Sequence, residues 1–493
     1  MDNDFILVLD LGGPQAIEMA RKLRNQRYYT EIISRTADIE LFRRKSPRGI
    51  LVAGGDAGGD AARFPRSVLS LGVPVLALGG AARMMIEAAG ARSEGALLEN
   101  QAAQISFQPC LLFDRLSESD RYLARIDGFA LPEGFQPIAT TIDGLIPGFA
   151  DLDRSLYGLQ FYAESNDPDG ATILTNFAEK ICGCTPRWSV EEYIEEETRY
   201  IRERVGDGVP LMAVSGGIDS SACALLMRRA VGDRLRCVFI DTGLMREGEP
   251  ERVINVVREE MGLDVECIDA RERFLSALSG IAEPLDKRRA VHRAFAAVLR
   301  EYGNAHPECA FLVKGTIYPD LLMGGASDGV YARHFDAGAL LEPVRMLFKD
   351  EVRRLGELLG LPPSLIGRQS FPAAGLAVRC MGEVTPEKLA MLRRADAIFR
   401  EEIQSAGQEK RLSQYFAVLS DTRTLGWREG VPACERVCAL RAVSGQNATA
   451  YAVGKLPYDQ LDRVAGRIIS EIPGINRVTY DISAGEATAI EWA

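Results

Sequence analysis

Leu211-Met-Ala-Val-Ser-Gly-Gly-Ile-Asp-Ser-Ser221 is the stretch on which the reading of this chain turns. Four apolar residues give the end of a buried strand, and the apolar run Ala222–Met227 continues as a helix. A strand, a small-residue loop and a helix N-terminus make an anion site. Gly216 and Gly217 let the backbone approach phosphate, and the unpaired N–H groups of the first helical turn point at it. Ser215, Ser220 and Ser221 add hydroxyl donors. Asp219 cannot favour a bare phosphate, so a bridging Mg²⁺ is the natural reason for a carboxylate there. No G-x-x-x-x-G-K-S/T loop and no G-x-G-x-x-G stands in its place. A tight turn with no ligand explains a bare Ser-Gly-Gly better than it explains all seven residues from Ser215 to Ser221.

Around this loop the same pattern repeats. Leu211–Val214, Arg236–Ile240 and Phe311–Val313 are apolar runs that predict parallel strands, with helices at Ser220–Arg229 and Glu251–Met261, the latter behind Pro250. Ser189-Val-Glu-Glu192 is a capping-box pattern that opens a helix just after a boundary at Thr185-Pro-Arg187. Before that boundary, Phe5–Leu9, Ile50–Ala53 and Val73–Leu78 each run into a pair of glycines, with a helix at Gln15–Arg24, which predicts a second α/β domain. Beyond Pro363, a charged helix at Pro386–Ala406 and the alternating Val478–Ile482 predict a smaller α+β domain.

Bulk properties narrow the classes. A chain of 493 residues exceeds one core. A net charge of −11 excludes a general nucleic-acid binder, and no apolar run is long enough to span a membrane. The acidic Met1–Asp4 is no signal peptide, so the expected place is the cytoplasm. Ten cysteines without paired CxxC motifs read as reduced thiols and not a zinc site. Cys434 and Cys438 have helical i,i+4 spacing, read as packing. Three histidines, His292, His306 and His334, leave little material for histidine chemistry.

Ser215–Ser221 resembles the PP-loop of N-type ATP pyrophosphatases. Asp241–Arg246, Lys314–Asp320, Leu347–Arg353 and Ile475–Ser483 resemble, in order, DNGLLR, QGTIYPD, LFKDEVR and INRVVYDIS of the GMP synthase family. The resemblance implies two parallel-sheet α/β domains and a C-terminal α+β dimerisation domain. Residues 1–184 would be class I glutamine amidotransferase-like. Residues 189–368 would be a PP-loop ATP pyrophosphatase of adenine nucleotide hydrolase type, and residues 369–493 would make a homodimer. It also implies an ATP-dependent, AMP-forming ligase. Such an enzyme adenylates an oxo group of a purine-nucleotide-like acceptor such as XMP and displaces AMP with ammonia.

Carried over residue by residue, Ser215, Gly216, Gly217, Ile218, Asp219, Ser220 and Ser221 would hold the pyrophosphate of ATP. Val238, Ile240, Gly315 and Thr316 would complete the ATP site. Asp219 would hold Mg²⁺ and act in catalysis with Lys349. Arg288, Asp320 and Arg379 would bind the acceptor.

The chain departs from the family in two places. Gly79, in Ala77–Ala81, stands where the amidotransferase cysteine belongs. Tyr162 replaces the histidine of the QFHPE-like motif, where only Glu164 remains. Glutamine hydrolysis needs a thiolate made by an adjacent base, so an inactive glutaminase is expected, with free ammonia or a separate donor as the nitrogen source. On the acceptor side, FPGPGLGVR reads Phe371–Arg379 with Ala373 and Ala374, the lid is shortened to about Tyr331–Gly338, and the family's tail Lys and terminal Glu are Gly485 and Ala493. Arg379, Lys287, Arg288, Arg289 and Lys349 are the basic residues left for a substrate phosphate. Two other readings share the loop. One is a paralogue with another acceptor or with sulfur as nucleophile, for which Cys223 is the nearest thiol. The other is a regulatory relative that only binds nucleotide.

Overall fold

The computed structural model describes residues 4–34, 39–55, 64–116, 118–161, 168–318, 320, 340–428, 430–447, 450–483 and 490–492. The chain forms two compact units, Met1–Tyr193 and Ile194–Ala493.

The first unit is built on a nine-stranded sheet. Its strands are β1 (Ile6–Asp10), β2 (Thr30–Ser34), β3 (Gly49–Ala53), β4 (Val75–Leu78), β5 (Ser93–Phe107), β6 (Glu118–Phe129), β7 (Gln136–Thr141), β8 (Gly148–Asp151) and β9 (Leu156–Leu159). The order is β2-β1-β3-β4-β9-β8-β7-β5-β6. β2 through β4 and β9 run parallel, and the rest of the sheet is antiparallel. β1, β3 and β4 are buried almost throughout, as continuous apolar runs in a sheet covered on both faces should be.

The second unit holds two sheets. β10 (Val209–Ala213), β11 (Arg236–Asp241), β12 (Val265–Asp269), β13 (Cys309–Val313) and β14 (Leu340–Leu341) form a parallel sheet in the order β12-β11-β10-β13-β14. The chain steps from β10 outward to β12 and then returns to the other side of β10. The strand order therefore reverses at β10, and the crevice beyond its C-terminal end is where such sheets bind ligands. The second sheet pairs β15 (Gln414–Arg428) with β16 (Val431–Asn447) as a long hairpin, and the far side of β16 carries β17 (Ala450–Val453) and β18 (Ile475–Asp481). A single apolar core runs from Leu211 and Val238 through Leu376 and Leu392 to Leu440 and Ile475, so both sheets share it.

Local signals set the element ends. Ser189 accepts from the Glu192 N–H at 3.1 Å and starts the helix Val190–Val205. Thr385 caps Pro386–Ser405 through the Lys388 N–H at 3.3 Å. The helix behind Pro250 is α-helical only over Glu249–Asn255 and widens to a π turn at Val256–Glu260. Cys434 and Cys438 lie on β16, not on a helix. Their i,i+4 spacing fits a strand face equally well, because every second residue returns to the same side.

Candidate active site

Between β10 and the helix Ile218–Val231, the loop turns on Gly216 at φ +69°. A Cβ at Gly216 would stand 2.5 Å from a Val253 methyl, so only glycine fits there. The serines close the loop on itself: Ser215 and Ser220 hydroxyls are 3.0 Å apart, the Ser220 hydroxyl donates to the Gly217 carbonyl at 3.1 Å, and the Gly217 N–H reaches the Ser215 hydroxyl at 3.3 Å. The Ser221 hydroxyl is buried without a partner.

From the other side of the switch point, the segment after β13 presses against the same helix start. A Cβ on Gly315 would lie 3.0 Å from Ser220 Cα and 3.1 Å from Ser220 N. Thr316 instead donates its hydroxyl to Glu342 at 2.7 Å. Asp320 accepts from the Ile317 N–H at 3.0 Å and is exposed. Val238 is committed to the sheet, since its carbonyl accepts from Val214 N at 2.8 Å. Ile240 lies two residues beyond the last β10–β11 pair, Ala213 with Val238. By strand alternation its N–H and C=O face the side that β10 has left, at the mouth of the crevice.

Asp219 and Lys349 meet although 130 residues separate them. Lys349 Nζ lies 2.5 Å from Asp219 Oδ2. Lys349 opens the helix Lys349–Leu358, whose first turn is fixed by the Phe348 N–H donating to Glu351 at 2.8 Å. Asp219 Oδ1 is buried and has no partner. Burial pushes the Asp219 carboxyl up from its ordinary value, against the opposing pull of the Lys349 ammonium; Asp320 adds to the rise and Arg353 opposes it.

The acceptor-side residues come from different elements. Arg379 is fully buried, and its Nε and Nη2 donate to Glu491 at 3.0 and 2.7 Å while its guanidinium lies 3.9 Å over the Phe416 ring. Its remaining amino group, Nη1, is buried without a partner. Arg288 is half-buried on the helix Pro284–Ala305, and Arg289 is paired with Asp286. Lys287 corrects its expected role. It is fully buried and donates to the carbonyls of Cys380 at 2.5 Å and Ala377 at 3.3 Å, so it braces the turn Gly375–Arg379 from behind and meets no phosphate. That turn keeps Gly375 at φ +60°, where a Cβ would lie 2.5 Å from the Leu244 carbonyl. The shortened lid, Tyr331–Gly338, and Gly485 and Ala493 lie outside the described residues.

Two groups of residues that spacing did not single out hold this end of the sheet. Arg368 donates to the Gly216 carbonyl and to Glu249. Arg246, buried, contacts Asp396 at 3.2 Å and receives the Glu249 carboxylate on its own N–H at 3.2 Å; Asp396 in turn accepts from Ala417 N at 3.1 Å. Burial lowers the Arg246 guanidinium to about 10, with Asp396 and Glu249 pulling it back. An arginine in a loop gives no sequence signal for a partner more than a hundred residues away.

Cys223 is entirely buried in the helix Ile218–Val231, and burial pushes its thiol well above the ordinary value. A thiol fully buried in this way is inaccessible and disfavoured as a thiolate, which is the wrong setting for a sulfur carrier.

In the first unit, Gly79 joins β4 to the helix Gly80–Ala88 with φ +60° and ψ −129°. This is a strand–turn–helix elbow with a positive φ, which glycine adopts freely and other residues only under strain, and it presents no side chain. Tyr162 and Glu164 lie outside the described residues. Cys110 is not on this elbow; it precedes the short turn Leu111–Phe113, and burial pushes its thiol up.

A model of the NAD synthase family matches residues 190–411, and one of the GMP synthase C terminal domain matches residues 401–492. The chain is 40% identical over 516 aligned positions to a GMP synthase (glutamine-hydrolyzing) of Thermomicrobium roseum, covering 99% of this chain and 96% of that one. It is 37% identical to the enzyme of that name from Clostridium acetobutylicum, with both chains covered in full. It is 38% identical to that of Acetivibrio thermocellus, again over 100% of each.

Proposed function

The chain belongs to the GMP synthase family, and from that premise we propose that it adenylates an oxo group of a purine-nucleotide-like acceptor and lets ammonia displace AMP, with no glutaminase of its own. Its core is a GMP synthase-type ATP pyrophosphatase, and the enzyme is an ATP-dependent, AMP-forming ligase. The acceptor oxygen attacks the α-phosphorus of ATP and pyrophosphate leaves. Ammonia then adds to the carbon, and AMP departs with the oxygen. The logic is that a carbonyl oxygen is a poor leaving group and AMP a good one.

The observation that carries this reading is the loop Ser215–Ser221 at the switch point, between the end of β10 and the N-terminus of the helix Ile218–Val231. Ser215, Gly216, Gly217, Ile218, Ser220 and Ser221 would hold the pyrophosphate, and the Ile240 backbone the adenine. Among the described residues no group of three or more His, Cys, Asp or Glu could hold a metal ion. Mg²⁺ needs fewer, since it is commonly bound by one or two carboxylates together with substrate phosphates. The unpartnered Asp219 Oδ1 fits that pattern. The bound ion would neutralise charge on the leaving pyrophosphate. Lys349, now held by Asp219, would turn to the phosphates when they arrive.

Loss of the glutaminase rests on Gly79, which keeps the elbow and lacks the thiol. The division at 184/189 and 368/369 belongs to the same reading, as does action in the cytoplasm. No helix among the described residues is long and apolar enough to cross a membrane. A homodimer is supported by the hairpin of β15 and β16, where Leu425 and Trp427, each 72% exposed, stand opposite Cys434 and Pro432 on one face. XMP is proposed to be a poor acceptor, because the family's acceptor motifs are altered in sequence at Ala373, Ala374, the lid and Gly485, and Arg379 is taken by Glu491. The test is a mass-spectrometric screen of XMP and other oxo-purine and oxo-pyrimidine nucleotides with ATP, Mg²⁺ and ammonium. One acceptor should gain an amino group while XMP lags. Efficient turnover of XMP would remove the altered-acceptor part, and ATP consumed with no acceptor gaining an amino group would overturn the amination itself.

A further inference from the structure

Arg368 meets the Gly216–Gly217 peptide from the side opposite the Ser215 hydroxyl, and the hydroxyl side is the one that would hold pyrophosphate. One amino group donates to the Gly216 carbonyl, and the other to Glu249, which is itself buried and held by Arg246. The guanidinium is therefore fixed from behind by a carboxylate that cannot move away. A peptide group is planar, and its carbonyl and N–H point in opposite directions. With the Gly216 carbonyl drawn outward to Arg368, the Gly217 N–H faces inward, where it meets the Ser215 hydroxyl at 3.3 Å.

Glycine stands on both sides of this peptide, so nothing in the local backbone prevents it from flipping. A flip would turn the Gly216 carbonyl toward the phosphates and the Gly217 N–H away, replacing a donor with a repelling acceptor. It would also carry φ of residue 217 from its present −76° into the positive region, which glycine tolerates and alanine resists.

We propose that Arg368 is a positioning residue for the phosphate site: it locks the Gly216–Gly217 peptide in the donor-inward orientation and so pre-organises the loop for pyrophosphate. This rests on the ATP-pyrophosphatase reading of the loop. Arg368 acts through the peptide and touches no reacting atom. The two glycines give the loop its close approach to phosphate, and Arg368 removes the freedom that comes with them.

The test uses the full chain and two probes, inorganic pyrophosphate and AMP, each titrated with Mg²⁺ present. Arg368→Met should weaken pyrophosphate about tenfold to a hundredfold, the range for one charge-assisted hydrogen bond, and leave AMP within about twofold. In a Gly217→Ala background, where a Cβ meets only the Ser215 hydroxyl at 3.3 Å, the flip is already resisted. There the Arg368→Met loss should shrink to a few-fold. Thermal melting establishes that each variant is folded; if Arg368→Met fails to fold, Arg368→Lys, which keeps the charge and one donor, carries the same comparison with a smaller loss. Equal weakening of AMP and pyrophosphate would overturn the proposal in favour of a general packing role. An undiminished loss in the Gly217→Ala background would overturn the peptide lock. A native chain that binds neither probe would overturn the nucleotide reading together with it.

Discussion

Replacing Asp219 with Asn separates what this carboxylate does for ligand from what it does for fold. Its Oδ2 is 2.5 Å from Lys349 Nζ, and both side chains are partly open to solvent. A pair of that kind contributes about 0.2–1 kcal/mol. Against this loss stands a gain: the carboxyl is held above its ordinary value chiefly by burial, and a neutral amide of the same size escapes that cost. The two nearly offset, so stability should change by less than about 1 kcal/mol, or about 2–4 °C in melting temperature for a unit of this size. Ligand binding has no such offset, because Asp219 is the carboxylate assigned to Mg²⁺. Loss of tenfold in affinity, about 1.4 kcal/mol, is a lower bound for removing the charged ligand. Calorimetric titration of ATP with Mg²⁺ and then with chelator gives the metal-dependent gap for each protein. The gap should fall at least tenfold in Asp219→Asn, with melting unchanged. An undiminished gap would refute the metal assignment, and melting lowered by about 10 °C or more would refute the claim that the residue faces ligand.

Three further outcomes follow from other parts of the molecule. Burial pushes the Glu197 carboxyl up to about 7, with Glu196 adding to the rise. Between the ordinary carboxylate range and that value the folded chain keeps a proton the unfolded chain has lost, so stability falls as pH rises through the window. Glu197→Gln should therefore be more stable than wild type at pH 8, by about 3 kcal/mol at most, and by less than about 1 kcal/mol at pH 5 in denaturant titrations; equal effects at both pH values would contradict the assignment. The first unit should release no glutamate from glutamine, and Gly79→Cys alone should not change that, because Tyr162 supplies no base; release at about 1 per second or faster would show otherwise. Light scattering should give twice the mass of one chain at micromolar concentration, and Trp427→Glu on the exposed hairpin face should halve it, whereas a monomer before substitution would dispose of the interface.

Much of the second unit was legible because its signals are local. The glycines and serines of Ser215–Ser221, the apolar runs of β10, β11 and β13, and the helix start behind Pro250 each depend on residues close together in the chain. What escaped depends on distance along the chain. Arg368 meets Gly216 across 152 residues and Arg246 meets Asp396 across 150, and a charged residue in a loop reads as solvated until its partner is known. Lys287 misled for the same reason: three basic residues in a row suggest a site for a substrate phosphate, but helical geometry turns the first inward onto the Cys380 carbonyl. Cys434 and Cys438 misled because i,i+4 fits both a helix face and a strand face, and only the alternation of the surrounding residues in β16 separates them.

As an AMP-forming ligase, this chain breaks ATP between the α and β phosphates. Phosphorus NMR of ATP consumed by the native chain, with Mg²⁺, ammonium and the acceptor that the screen identifies, reads that bond directly. AMP and pyrophosphate should appear in equal amounts, one of each per aminated product. ADP and orthophosphate would contradict it, since the loop Ser215–Ser221 would then be cradling a leaving group it does not release.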